Sequence, residues 1–300
     1  MDHIERTKQE FTRQAAGFSV SAAITDRRST QRIIEATGAG ATSFALDVAC
    51  GPGIVAVELA AVAREVVAFD LTPEMLVKAR ERCDKAGRRN VVFKEGSATH
   101  LPFSDDTFDV VVTRLSIHHF QDPRKVLGEM KRVTKNDGIL VVADIVSSEI
   151  GEKSELQNAL EVLRDPSHVC MYPVSALASL IAGAGLKIEK QDTWEQPREF
   201  EEWARIVEDP ERIGPLRTVV QALARAGEDA GMGLSATGHS ISFIHRWQLI
   251  VARNERGGLA DKHVSLSVAQ WRLGLVRAEL WRGRKSHAGI GRGSRPAVFM

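Results

Sequence analysis

The sequence predicts an α/β fold: a seven-stranded, mostly parallel sheet with helices on both faces and a last strand that inserts antiparallel. Three observations predict it. Between about residues 44 and 146, short runs that are apolar on both faces alternate with amphipathic helical stretches, which is the pattern of βαβ units. Glycines stand where helices should stop before a strand, at Gly87, at the Gly138 that follows Asp137, and at Gly185. Finally, two late strand-like runs flank a helical, charged insertion, which suits a sheet whose last member returns antiparallel.

In order, "FALDVA" (44–49) reads as the first strand and "IVAVELAAVA" (54–63) as its helix. "EVVAFD" (65–70) and "PEMLVKARERCDKAG" (73–87) repeat the unit, and "NVVFKEG" (90–96) is a third strand. "FDVVVTR" (108–114), "RKVLGEMKRVTKND" (124–137) and "GILVVADIV" (138–146) give a fourth strand, a helix and a fifth strand. "SALASLIAGAGLKIEKQDTW" (175–194) reads as a helix, a glycine stop and a sixth strand, and 198–238 as a helical insertion. "SISFIHRWQLIVARN" (240–254) alternates as the final strand. Domain bounds follow as 1–39, 40–253 and a tail, 254–300.

Composition narrows the class of protein. The 300 residues are 43% hydrophobic and 26% charged with a net charge of +1, ordinary for a globular enzyme with ample core and without a field that draws nucleic acid. The tail is the exception: nine Lys or Arg face three acids there, and its Gly, Arg and Ser content reads as an accessory or disordered basic arm. Three scattered cysteines (Cys50, Cys83, Cys170) make neither a disulfide framework nor a CxxC metal site. The charged N-terminus lacks an apolar secretory segment and no apolar run reaches eighteen residues, so a cytoplasmic location without a membrane span is expected.

The chemistry concentrates in "ALDVACGPG" (45–53). A glycine-rich turn between a first strand and a first helix lets a ligand lie against the backbone. "GPGIVA" satisfies G-x-G-x-x-A, so a nicotinamide dinucleotide has to be weighed. Asp47 argues otherwise, because a carboxylate inside the strand repels a pyrophosphate and attracts an ammonium group. Asp70, at the end of the second strand, is placed to accept both hydroxyls of a ribose, and "EGSATHLPF" follows the third strand as a turn that wraps an adenine edge.

With these residues in view, "LDVACGPG", "VVAFDLTPEML", "GSATHLPFSDDTFDVVVTRLSIHHFQDP" and "EMKRVTKNDGILVVADI" resemble the successive motifs of class I S-adenosylmethionine-dependent methyltransferases. The nearest group contains the ubiquinone/menaquinone C-methyltransferases and many small-molecule O-methyltransferases. The resemblance implies a Rossmann-like fold and S-adenosylmethionine as cofactor. It places Asp47, Cys50, Gly51 and Gly53 at the methionine end, Asp70 on the ribose, and Leu71 and Met75 beside the adenine. Ser97 and Ala98 meet the adenine edge, and the Arg114 backbone lies by the amino acid moiety. The family often has a third glycine where Val55 stands, and an acid where Ser97 stands, so adenine should be held less tightly. "FTRQAAGFSVSAAITDRRS" is similar to the N-terminal helices that cover the cofactor, with Phe11 and Phe18 as lid contacts.

Methyl transfer needs an aligned nucleophile and, for an O–H or N–H acceptor, a base. "TRLSIHHF" supplies His118 and His119 after the fourth strand, and Asp144 ends the fifth, so an imidazole and a carboxylate can meet in one crevice; His118 is slightly favoured. "RDPSHVCMYP" (164–173) follows the fifth strand, where acceptor-binding segments usually sit, making Arg164, His168 and Tyr172 substrate candidates. No clustered Asp or Asn ligands accompany Asp144, so no metal is expected. The leading expectation is a methyltransferase acting on a small molecule. An RNA methyltransferase using the basic tail, an NAD-dependent oxidoreductase and a non-catalytic S-adenosylmethionine-binding protein remain as alternatives.

Overall fold

In the computed structural model, which describes residues 1–238 and 240–255, two N-terminal helices, α1 (His3–Val20) and α2 (Arg27–Thr37), precede the sheet domain. The strands are β1 (Phe44–Val48), β2 (Glu65–Asp70), β3 (Val91–Glu95), β4 (Phe108–Arg114), β5 (Thr134–Val146), β6 (Lys187–Glu199), β7 (Ser235–Thr237) and β8 (Ser240–Arg253). The remaining helices are α3 (Ile54–Leu59), α4 (Pro73–Lys85), α5 (Pro123–Val133), α6 (Gly151–Arg164), α7 (Val174–Gly183), α8 (Phe200–Arg205) and α9 (Pro210–Arg225).

The sheet order is β3-β2-β1-β4-β5-β8-β6, with β7 paired to β8. Strands β1 to β5 pair in parallel, and β8 runs antiparallel between β5 and β6. The seven expected strands and the antiparallel insertion of the last one are therefore found. The insertion is not wholly helical, however. After α9 the chain makes β7, an eighth strand that hairpins onto β8, Thr237 opposite Ser240.

The period-two alternation of each strand divides its side chains between two apolar layers. Leu46, Val48, Val67, Phe69, Val111 and Val142 enter one core with α5 and α7. Ala45, Val66, Ala68, Val110, Val112 and Val141 enter the other with α2 and α3. Burial on both faces is why these runs carry few buried polar residues, and why those at Asp47, Asp70, Thr113, Arg114 and Asp144 need an explanation.

Gly87 and Gly185 follow α4 and α7 as expected, but Gly138 does not end a helix. Helix α5 ends at Val133, and Gly138 lies inside β5, where a Cβ would come within 2.7 Å of Thr134 Cγ2. The register of β5 on β4 slips there, between Phe108 and Val110, and Asp137 takes the left-handed backbone instead (φ 59°). At the other end, Asn254 is fully buried and its side-chain amide caps the Thr134 carbonyl (2.7 Å), so the sheet holds the chain one residue past the expected boundary. From residue 256 onward the basic tail lies outside the described residues.

Among the described residues, no helix is long and apolar enough to cross a membrane.

Candidate functional site

In a parallel sheet the natural crevice lies beyond the carboxyl ends of the strands where the strand order reverses, here between β1 and β4. A cavity of about 340 Å³ opens there, a size that suits a small-molecule ligand. Its floor is the turn after β1, its sides are the turns after β2, β3 and β4, and its roof is α1 with the segment that follows it.

The turn after β1 is made by backbone conformation. Gly53 is left-handed (φ 76°), and a Cβ on it would lie 2.7 Å from Ala79 Cβ, so glycine lets α3 start hard against α4. Gly53 itself does not line the cavity. Gly51, also left-handed (φ 52°), does line it, and a Cβ there would meet no protein atom within 4 Å. The space beside Gly51 belongs to whatever the cavity holds. Ala49 and Leu115 also line the cavity with positive φ (55° and 52°), a strained conformation for side-chain-bearing residues that concentrates at working sites. Nothing in their sequence neighbourhood announces them.

Asp47 is 1% exposed and its Oδ2 has no hydrogen-bond partner. Burial, then the nearby Asp70 charge, push its carboxyl up to about 8. Asp70 is better served, accepting the Gly51 and Thr72 N–H groups at 2.8 Å each, one on each oxygen. Each oxygen keeps lone pairs for a further donor; burial raises its pKa in spite of these bonds. Leu71 and Met75 stand beside Asp70 on the cavity wall, and Ser97 and Ala98 face it from the turn after β3. Cys50 also lines the cavity, but burial raises its thiol well above the usual range, so it is no thiolate nucleophile.

Arg114 lines the cavity, and its side chain is anchored in the interior. The guanidinium donates to the Ile24 carbonyl (2.7 Å), lies over Trp247 at 5.2 Å, and leaves Nε buried without a partner. Burial lowers it to about 10. Trp247 in turn stacks on Trp194 (5.3 Å, 13°), fixing the plane on which Arg114 rests. This role of the side chain was not read from the sequence.

Of the two adjacent imidazoles, the one on the cavity wall is His119. His118 and Asp144 do meet, Nδ1 to Oδ1 at 2.5 Å, yet neither lines the cavity. Asp144 also accepts the Ile117 and Ile145 N–H groups (2.8 Å each), so it organises the short 3-10 turn Ile117–His119. Burial alone would lower the His118 pKa, but the charge and hydrogen bond of Asp144 raise it above the ordinary value. For His119, burial and then the neighbouring His118 push the pKa down to about 3, so its ring is neutral near pH 7.

Arg164, His168 and Tyr172 are not brought to the cavity. Arg164 pairs with Glu161 (3.0 Å) and lies over Trp203 (4.7 Å). His168 Nε2 bonds Asn158 Oδ1 (2.8 Å), and burial pushes it down to about 4. Tyr172 packs against the first core. In place of these three, the roof supplies Ile4, Phe11, Phe18 and Ile24.

The arrangement fits a ligand with a cationic end, a vicinal diol and a flat base: an unpartnered carboxyl at Asp47, spare acceptor capacity at Asp70, and apolar walls at Leu71 and Met75.

A methyltransferase domain family matches residues 46–142. An uncharacterized methyltransferase of Bacillus subtilis (strain 168), YcgJ, is 31% identical over 209 residues, 68% of this chain and 82% of that protein. The crystal structure of YcgJ superposes with a TM-score of 0.71 at 29% identity, covering 77% of this chain and 99% of that one. A demethylmenaquinone methyltransferase of Renibacterium salmoninarum is 38% identical over 118 residues, 39% of this chain and 48% of that protein.

Proposed function

The chain belongs to the class I methyltransferases, and from that premise we propose that it moves the methyl group of S-adenosylmethionine to a small-molecule acceptor. The observation that carries this reading is Asp47 Oδ2, a buried carboxyl oxygen without a partner on the wall of a 340 Å³ cavity. An unpartnered buried carboxyl is costly unless something donates to it, and a cationic amino acid end supplies both donor and charge. Bound there, the cofactor supplies a methyl group already activated as an electrophile.

The chain's own residues do the rest. Asp47 holds the cation, Gly51 leaves it room, and Asp70 accepts the ribose hydroxyls. Leu71 and Met75 flank the base, and Ser97 and Ala98 meet its edge. Helix α1 covers the site as a lid and excludes water: Phe11 packs edge-on against His119 (4.8 Å), and His3 Nε2–H donates to the His119 carbonyl (2.8 Å). An enclosed, largely apolar roof favours a small acceptor over a nucleic acid strand. The demethylmenaquinone methyltransferase of Renibacterium salmoninarum matches over only 39% of this chain and 48% of its own length, so its acceptor does not carry over to this chain.

Calorimetric titration with S-adenosylhomocysteine, and separately with NADH, tests the reading in wild type and Asp70→Ala. We expect S-adenosylhomocysteine to bind and the substitution to weaken it at least tenfold. Binding of NADH alone would replace the reading with an oxidoreductase.

A further inference from the structure

Behind His119 runs a chain of hydrogen bonds that ends in the lid. His119 Nδ1 lies 3.1 Å from both the carbonyl oxygen and the hydroxyl oxygen of Ser167. The one hydrogen of that hydroxyl is already committed, because Ser167 Oγ donates to Asp165 Oδ1 at 2.6 Å. Asp165 is an acceptor on every side: its Oδ1 also takes the Ser167 N–H (2.9 Å), and its Oδ2 takes Gln14 Nε2 of helix α1 (3.0 Å). Burial would favour its neutral form, but the Arg164 charge and these donors lower its pKa, so it is a carboxylate. Ser167 and Gln14 are fully buried and Asp165 is 1% exposed, so no water competes for these bonds.

Counting protons along the chain leaves one solution. Both atoms facing His119 Nδ1 are acceptors, so Nδ1 must carry the ring's proton, and Nε2 must carry the lone pair. Nε2 has no hydrogen bond among the described residues, while the ring stands on the cavity wall. We infer that His119 is the proton acceptor of the reaction, fixed as the Nδ1–H tautomer by Ser167, Asp165 and the lid residue Gln14. The inference rests on the methyl-transfer reading. Ser167, Asp165 and Gln14 are positioning residues; His119 is the catalytic one.

The bonds balance. With a hydroxyl acceptor, the oxygen forms its bond to the methyl carbon as the carbon–sulfur bond breaks with its electron pair kept by sulfur. The O–H proton passes to Nε2 and its bonding pair stays on oxygen. The imidazolium then returns its proton to water when the lid opens. A weak base suffices for this, because an alkylated oxygen that still holds its proton is a strong acid.

The test is the nitrogen NMR spectrum of the full chain labelled at its histidines, with His119 assigned by the signals lost in His119→Gln. At pH 7 we expect Nδ1 to show the shift of a protonated ring nitrogen and Nε2 that of a bare one. An Nε2–H tautomer or a cationic ring overturns the inference, whatever any variant does. In Asp165→Asn the amide can donate to Ser167 Oγ and free the hydroxyl hydrogen to turn toward Nδ1, so His119 should shift toward the Nε2–H form. Ser167→Ala keeps the carbonyl and should keep the wild-type tautomer. An unchanged ring in Asp165→Asn removes Asp165 from the chain. Calorimetry with S-adenosylhomocysteine on the same sample separates failure of this inference, which leaves binding intact, from failure of the methyl-transfer reading, which does not.

Discussion

Asp47 and Asp144 are buried aspartates toward the carboxyl ends of parallel strands, 1% and 2% exposed, and their surroundings are opposite. Asp144 receives the Ile117 and Ile145 N–H groups and the His118 ring. Asp47 has one oxygen with no donor at all and a second carboxylate, Asp70, close enough to push its pKa up. The same residue type in comparable strand positions thus does two different jobs. A carboxylate whose acceptor capacity the chain itself fills holds a turn together. One that the chain leaves unfilled beside a cavity is a ligand's partner, and the protein bears the cost of keeping it.

Substitution should split the two. Asp144→Ala strands the Ile117 and Ile145 N–H groups and the raised His118 ring, and should lower stability by about 3–5 kcal/mol in urea unfolding. A loss under about 1 kcal/mol would mean that the turn stands without it. Asp47→Asn should do the reverse. It should weaken S-adenosylhomocysteine by about 30-fold or more, near 2 kcal/mol, and yet stabilise the ligand-free protein at pH 8. The sign follows from the raised carboxyl. The unfolded state releases the Asp47 proton near pH 3.8 and the folded state near 8, so the wild type is at its best below 3.8 and loses stability as pH climbs through that window. An asparagine has no such loss. A variant that melts lower and binds normally would turn Asp47 into a second Asp144.

A pH series sharpens the contrast further. His118 has a raised folded pKa, so its contribution is fully present below its unfolded value near 6.5 and is lost as pH rises through the folded value. Stability differences between wild type and His118→Gln should therefore be flat below about pH 6 and shrink only above it. Those between wild type and Asp47→Asn should already change from about pH 4. If both differences move in the same interval, the two sites titrate together and the distinction between them fails.

The half of the cavity around Asp47 was legible in the sequence because a single local segment builds it. A strand, a glycine turn and a helix follow within residues 44 to 59, and Asp70 comes one unit later, so spacing alone carries the geometry. The other half is assembled from distant parts. Whether His118 or His119 lines the cavity is set by a three-residue 3-10 turn and by Ser167, 48 residues on. Gln14 and Asp165 are 151 residues apart and carry no motif. Arg164, His168 and Tyr172 follow the expected strand, but α6 turns them into the interior, where Glu161 and Asn158 engage the first two. Gly138 misled for a related reason: a close approach to Thr134 and a helix stop demand the same residue.

The smallest effect tests the adenine end. Ser97 Oγ lies 2.8 Å from Thr99 Oγ1 and 3.4 Å from the Thr99 N–H, so part of its acceptor capacity is spent inside its own turn. Ser97→Asp supplies one oxygen to keep those contacts and a second, charged one for an exocyclic amino group. Charge-assisted hydrogen bonds are roughly twice as strong as neutral ones, but Asp70 on the same wall repels the newcomer. The net gain should therefore be small, about threefold in S-adenosylhomocysteine affinity, and it should vanish for the inosine analogue, in which a carbonyl replaces the amino group. Equal tightening of both ligands would trace the gain to the field of the new charge rather than to a hydrogen bond. Weakening of both would mean that repulsion from Asp70 prevails, the same charge that adds to burial in raising the Asp47 pKa.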